Sequence, residues 1–75
     1  MKKVIGGKLY DTEKSTLLYI DKTTQRRYYA TENGNYFTFY KNGVIVPKTK
    51  EDMMDLLGDL DYEAYVKAFG EPEEA

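Results

Sequence analysis

The stretch Arg26–Tyr40, RRYYATENGNYFTFY, decides the fold. It reads as two short strands joined by a tight turn at Asn33-Gly34, because Asn and Gly accept the positive φ of a two-residue type I′ turn, whose twist matches that of a hairpin. The flanking residues are aromatic or β-branched, which suits a pleated, half-buried surface. A two-residue turn sets Phe37 opposite Ala30 and Phe39 opposite Tyr28. A three-residue loop of Glu32, Asn33 and Gly34, bulged at the glycine, sets Phe37 opposite Tyr29 instead. One residue of slip exchanges the faces of a strand. Phe37 and Phe39 are expected inward in either register, since a phenyl ring has no polar group that wants water. One of Tyr28 and Tyr29 joins them, and the other lies on the opposite face with Tyr36, Thr38 and Tyr40.

Working outward toward the N-terminus, Lys2–Ile5 is a short strand, Gly6-Gly7 loosens the backbone, and Lys8–Tyr10 leads as a strand into a polar turn at Asp11-Thr12. Ser15–Asp21 is rich in β-formers and reads as a central strand with both faces partly covered. Lys22–Gln25 is a polar connection. Beyond the hairpin, Lys41-Asn42-Gly43 repeats the Asn-Gly turn signal before a strand at Val44–Val46. Pro47 cannot donate to a ladder, so that strand is an edge or ends there.

The hydrophobic period then changes. Thr49 is a good N-cap, and Asp52 three residues on makes a variant of the capping box. Met53, Leu56, Leu57 and Leu60 follow helical spacing, with Gly58 as the stop signal. Asp61 caps a second helix whose apolar face is Tyr62, Tyr65, Val66 and Phe69, and Gly70 and Pro72 end it. Glu63 and Lys67 form an i, i+4 pair on its outer face. The fold class is therefore α+β: an antiparallel sheet of four or five short strands with two short C-terminal helices packed on one face. Residues 1–70 form one domain and residues 71–75 an acidic tail. A helix layer on one side leaves the other sheet face wet.

At 75 residues a chain buries only about 60% of its unfolded surface, so each large side chain counts. Cysteine and histidine are absent, which removes disulfides, thiolate and imidazole ligands and the usual near-neutral general base. The eight tyrosines suit either a binding surface or the core of a small β protein. No apolar run approaches the ~20 residues of a membrane span, and MKKVIGGKLY lacks the apolar segment of a signal peptide. A cytoplasmic protein is expected, in the cytoplasm of a host cell.

Charge is sorted along the chain. Residues 1–50 carry ten Lys/Arg against four acids, a balance of +6. Residues 51–75 carry nine acids against Lys67 alone, a balance of −8. Acids near helix N-termini complement the dipole, which accounts for Glu51, Asp52, Asp61 and Glu63. It does not account for nine acids against one base, because a merely solvated face mixes signs. The expected partner-binding set is Glu51, Asp52, Asp55, Asp59, Asp61, Glu63 and Glu71, facing a protein with a basic surface. Asp59, Asp61 and Glu63 have the spacing that opens a calcium loop, but the loop's glycine and distal glutamate are missing, so helix capping is the better reading. A second candidate surface is the sheet face bearing Arg27, Tyr29, Tyr36 and Tyr40, which could stack single-stranded nucleic acid. A third is a two-fold homodimer that covers the same face. No phosphate loop, nucleophile elbow or metal cluster is legible, so neither a catalytic residue nor a cofactor is expected.

Three groups of short motifs carry a resemblance. They are Gly7-Lys8-Leu9-Tyr10-Asp11-Thr12-Glu13; Tyr29-Ala30-Thr31 with Gly34 and Tyr36-Phe37; and Asp61-Tyr62-Glu63-Ala64-Tyr65 with Phe69-Gly70-Glu71. In this order they resemble small, mostly uncharacterised proteins of phages and mobile elements of Gram-positive bacteria. Those proteins commonly carry a tryptophan in the first helix, where this chain has Leu56-Leu57. The resemblance implies a non-enzymatic accessory protein. Some small acidic proteins of that kind resemble anti-CRISPR inhibitors, which bind a host defence effector and block its DNA-contacting surface.

Overall fold

The computed structural model describes residues 1–75. Six strands precede two helices: β1 (Lys2–Ile5), β2 (Lys8–Asp11), β3 (Thr16–Asp21), β4 (Arg26–Ala30), β5 (Tyr36–Phe39), β6 (Ile45–Lys48), α1 (Lys50–Leu60) and α2 (Tyr62–Phe69). β3 to β6 form an antiparallel meander in chain order, and β1 and β2 pair separately as a hairpin. The protein is thus α+β, with the helices on one face of the four-stranded sheet and the small hairpin on the other.

Glycine placement sets the register. The two-residue type I′ turn belongs to Gly6-Gly7, where both φ values are positive and Ile5 pairs with Lys8. At Asn33-Gly34 only the glycine has positive φ, +80°. The Thr31 N–H donates to the Asn35 carbonyl, and the Gly34 N–H donates back to the Thr31 carbonyl. This is the three-residue loop with a glycine bulge, and it pairs Phe37 with Tyr29 and Thr38 with Tyr28. Lys41-Asn42-Gly43 repeats the device: the Tyr40 N–H donates to Val44, the Gly43 N–H to Tyr40, and Gly43 has φ +88°.

That register builds two cores, one on each side of the sheet. Phe37 is fully buried between Tyr29, stacked at 4.9 Å and 11°, and Tyr10 of the small hairpin, edge-on at 5.6 Å and 80°. Ile45 completes this cluster, with Ile5 and Phe39 at its margin. On the other side Tyr28 meets Met53, Leu57 and Ala64, ringed by Leu18, Tyr19, Tyr36, Leu56, Tyr65 and Phe69. A register irregularity in β3 between Leu17 and Tyr19 brings the consecutive Leu18 and Tyr19 to this same face.

Several expectations are corrected. The helices cover Tyr28, Tyr36 and Thr38, while Phe37 and Phe39 point to the side covered by β1 and β2. Neither face of the sheet is left wholly wet, because the N-terminal segment folds back as a separate layer and does not extend the sheet. β3 is an edge strand, not a central one, and leaves Leu17 and Ile20 exposed. Gly58 does not end α1, which runs to Leu60; it lies in the helix facing the Tyr65 ring. On α2 the buried face is Ala64 with Tyr65, Ala68 and Phe69, and Tyr62 is exposed. The caps stand as read. The Asp52 N–H donates to Thr49 Oγ1 at 3.0 Å, the Ala64 N–H donates to Asp61 Oδ1 at 3.1 Å, and Gly70 ends α2 with φ +85°. Pro47 lies on β6, an edge strand that continues to Lys48.

One polar group runs against the packing. Thr38 is 1% exposed under the helices and its hydroxyl has no hydrogen-bond partner. A buried unpaired hydroxyl costs about 1–3 kcal/mol. Thr38→Val keeps the shape and removes that group, so the variant is expected to be more stable by about 1 kcal/mol in urea unfolding; equal or lower stability would contradict this account.

Candidate functional site

The acidic surface is assembled mainly by α1. Glu51, Asp55 and Asp59 recur every four residues and so form one row along the exposed side of the helix, with Asp52 beside them. Each like-charged i, i+4 pair costs an isolated helix about 0.2–0.5 kcal/mol. Asp59 also stands in the last turn, which holds no base, where an anion opposes the helix dipole. Glu63 in the first turn of α2 and Glu71 beyond Gly70 are exposed as well.

Two members of the expected set serve the fold. Asp61 is half-buried as the single residue between the helices, closing α1 and capping α2. Asp52 returns a longer bond to its cap, the Thr49 N–H donating to Asp52 Oδ2 at 3.5 Å. Asp59, Asp61 and Glu63 do not make a calcium loop, because Asp59 and Glu63 lie in two different helices. No cluster of three or more His, Cys, Asp or Glu is placed to hold a metal ion. The hydrogen bonds that carboxylates accept in this fold all come from backbone N–H groups: Glu13 to Asp11, Thr23 and Thr24 to Asp21, Thr49 to Asp52, and Ala64 to Asp61. The carboxylates of Glu51, Asp55, Asp59 and Glu63 therefore face solvent without a hydrogen-bonded cation.

The four sheet-face residues do not share a surface. Tyr29 is buried against Phe37. Tyr36 lies on the opposite face, half-buried with its ring 5.8 Å from Phe69. Tyr40 lies under the Arg26 guanidinium at 4.8 Å. Arg27 is exposed beside Phe39 on the Tyr29 side. Base stacking along a row of tyrosines, and a dimer built on an open sheet face, both lose the surface they require.

Two concavities were not read from the sequence. A crevice of about 540 Å³ separates the small hairpin from the Thr31–Asn35 loop. It is lined by Lys8, Tyr10, Asp11, Lys14, Thr31 and Asn35 among others, and Lys8 Nζ donates to Asn35 Oδ1 across it at 3.3 Å. At the opposite end of the meander, the β3–β4 and β5–β6 connections come together around a groove of about 390 Å³ lined by Ile20, Lys22, Gln25, Arg27, Phe39 and Lys41. The signal for the second was present, since alternate turns of a meander fall at one end of its sheet and both of these turns carry cations.

No family model, curated protein or solved structure matches the chain.

One ionisable group is perturbed. Burial beneath the helices pushes the Tyr28 phenol above its ordinary value, and the nearby Arg26 guanidinium opposes this without cancelling it. A phenol with a folded pKa above its unfolded one contributes fully below about pH 10 and loses that contribution as pH rises through the folded value. Melting temperature is expected to hold to about pH 9 and fall above pH 10. The fall should be shallower in Tyr28→Phe; an identical alkaline profile would show that Tyr28 does not contribute.

Proposed function

We propose that this is a non-enzymatic accessory protein of a phage or mobile element that binds and inhibits a host defence protein in the host cytoplasm, in the manner of an anti-CRISPR. Its acidic helical surface competes for a basic groove that otherwise holds nucleic acid. The observation that carries this reading is the row Glu51–Asp55–Asp59. Asp55 and Asp59 lie beyond the first turn, where an acid no longer complements the helix dipole, and all three carboxylates cap nothing and accept no hydrogen bond from a lysine or arginine. Charge placed at a cost to local stability, on a rigid two-helix scaffold, is suited to pairing with charge on a partner.

A row of carboxylates imitates the spaced negative charge of a phosphate backbone. A basic groove that binds DNA through its phosphates meets the same field here. The capped α1–α2 corner is fixed by the Thr49 and Asp61 hydrogen bonds and by packing of Met53 and Leu57 on the sheet. Little ordering entropy is then lost on binding. The order of the short motifs quoted above supports the mobile-element setting. No helix is long and apolar enough to cross a membrane.

Pull-down from a Gram-positive host lysate is expected to recover a basic protein, to weaken with salt, and to be competed by DNA. Joint reversal of Asp55, Asp59 and Glu63 to Lys should reduce recovery at least about tenfold, the equivalent of a few lost charge pairs. Unchanged recovery by the reversed variant would remove the acidic surface from the interaction.

A further inference from the structure

The groove at the end of the meander carries a different chemistry. Lys22, Arg27 and Lys41 line it, with Ile20 and Phe39 on its walls, and no carboxylate is among its lining residues. Ile20 is 38% exposed and Phe39 half-buried, so the apolar surface is open to a ligand. Asp21, the nearest acid in sequence, is turned into its own loop, where Oδ1 accepts the Thr23 and Thr24 N–H groups at 3.0 and 3.4 Å. Asp21 makes no hydrogen bond to any of these cations. Round the end of the sheet, a second hollow is lined by Thr24, Arg26, Tyr40, Lys41 and Asn42, again without an acid. There the Arg26 guanidinium lies 4.8 Å above the Tyr40 ring, and Lys41 belongs to both hollows.

Gln25 adds an independent mark. It is the one non-glycine residue with positive φ, +60°. Glycine or asparagine takes that conformation with less strain, and residues held there with a side chain gather at binding sites. The position contributes a Gln to the lining of the groove, whose amide can both donate and accept.

We propose that this end of the sheet binds single-stranded nucleic acid, with phosphates on Lys22, Arg27 and Lys41 and bases against Phe39 with Ile20 on one side and the Arg26–Tyr40 pair on the other. Two planar surfaces flanking a shared cation reproduce the base–phosphate–base alternation of a single strand. An acidic peptide without aromatic residues offers charge but no flat face to fill the two hollows. Neither hollow has a residue of α1 or α2 in its lining, so the site does not use the helical carboxylates. The molecule then grips a basic protein with its helices and a nucleic-acid strand with the turn end of its sheet.

The test is fluorescence anisotropy with a labelled fifteen-nucleotide oligothymidylate and its oligouridylate counterpart. Neutralising three phosphates of a single strand gives a salt slope of about −2, so affinity should fall about a hundredfold between 20 and 200 mM salt. K22E/R27E/K41E should lower affinity at least about tenfold with an unchanged circular dichroism spectrum. If that variant does not fold, K22Q/K41Q should show a smaller fall, about fivefold. D55K/D59K/E63K should bind at least as tightly as the natural chain, which separates this site from the acidic surface. The proposal is overturned by absence of binding at 20 mM salt, or by affinity unchanged in the groove variants or lost in the helix variant. Polyglutamate competing as well as unlabelled oligonucleotide would also overturn it. So would self-association by light scattering that K22E/R27E/K41E abolishes, since the groove would then belong to a second copy.

Discussion

The stack of Phe37 on Tyr29 is the contact on which the rest of this structure depends. It exists because Gly34 takes a left-handed conformation and makes the loop three residues long. A two-residue loop would shift the pairing by one position and exchange the faces of a strand. With the register as it is, the neighbours Tyr28 and Tyr29 enter different cores, one under the helices and one under the small hairpin. The sheet becomes a partition between two apolar clusters of four buried residues each. In a chain this short neither cluster is large, so the sheet has to be covered twice for the fold to bury enough. The buried, unpartnered Thr38 hydroxyl is a local conflict within that arrangement.

The same architecture sorts charge in space. A meander returns alternate turns to one end, which gathers Lys22 from the β3–β4 connection and Lys41 from the β5–β6 connection beside Arg27. The acids of α1 fall on the exposed side of a helix whose opposite side is occupied by Met53 and Leu57. Backbone amides, not lysines or arginines, take up the carboxylate hydrogen bonds, so the two signs do not quench each other through such contacts. Electrostatic complementarity of this kind steers encounter and selects partners more than it adds raw affinity.

Local chemistry was legible where a residue acts on its immediate neighbours. Thr49 and Asp61 cap the helices, Gly70 ends the second, Pro47 marks an edge strand, and the acids of α1 are exposed, all as their residue types suggest. The three-residue loop was visible as one of two alternatives, and only the pairing itself chose between them. Errors collected where the answer lay with a distant segment. Tyr62 fits a helical apolar face by spacing yet is exposed, because the Ala64–Ala68 side packs more closely. Gly58 reads as a stop and is a helical position facing the Tyr65 ring. The strand at Thr16–Asp21 has the composition of a central strand and stands at an edge. The aromatic sheet face looked continuous until the hairpin and helices were placed on either side of it.

By itself, the sequence determined the class of fold, the helix caps, the places of the turns and the division of charge between the first fifty residues and the rest. Those properties are written in spacing, capping groups and glycine, whose effects reach only a few residues along the chain. Which face of the sheet meets the helices, which tyrosine of the central pair meets which core, and which cations converge on a common groove were decided only by tertiary packing. The reason is physical: alternation defines two faces of a strand but gives neither a preference. The preference arises when segments tens of residues apart compete to bury their apolar surface against them.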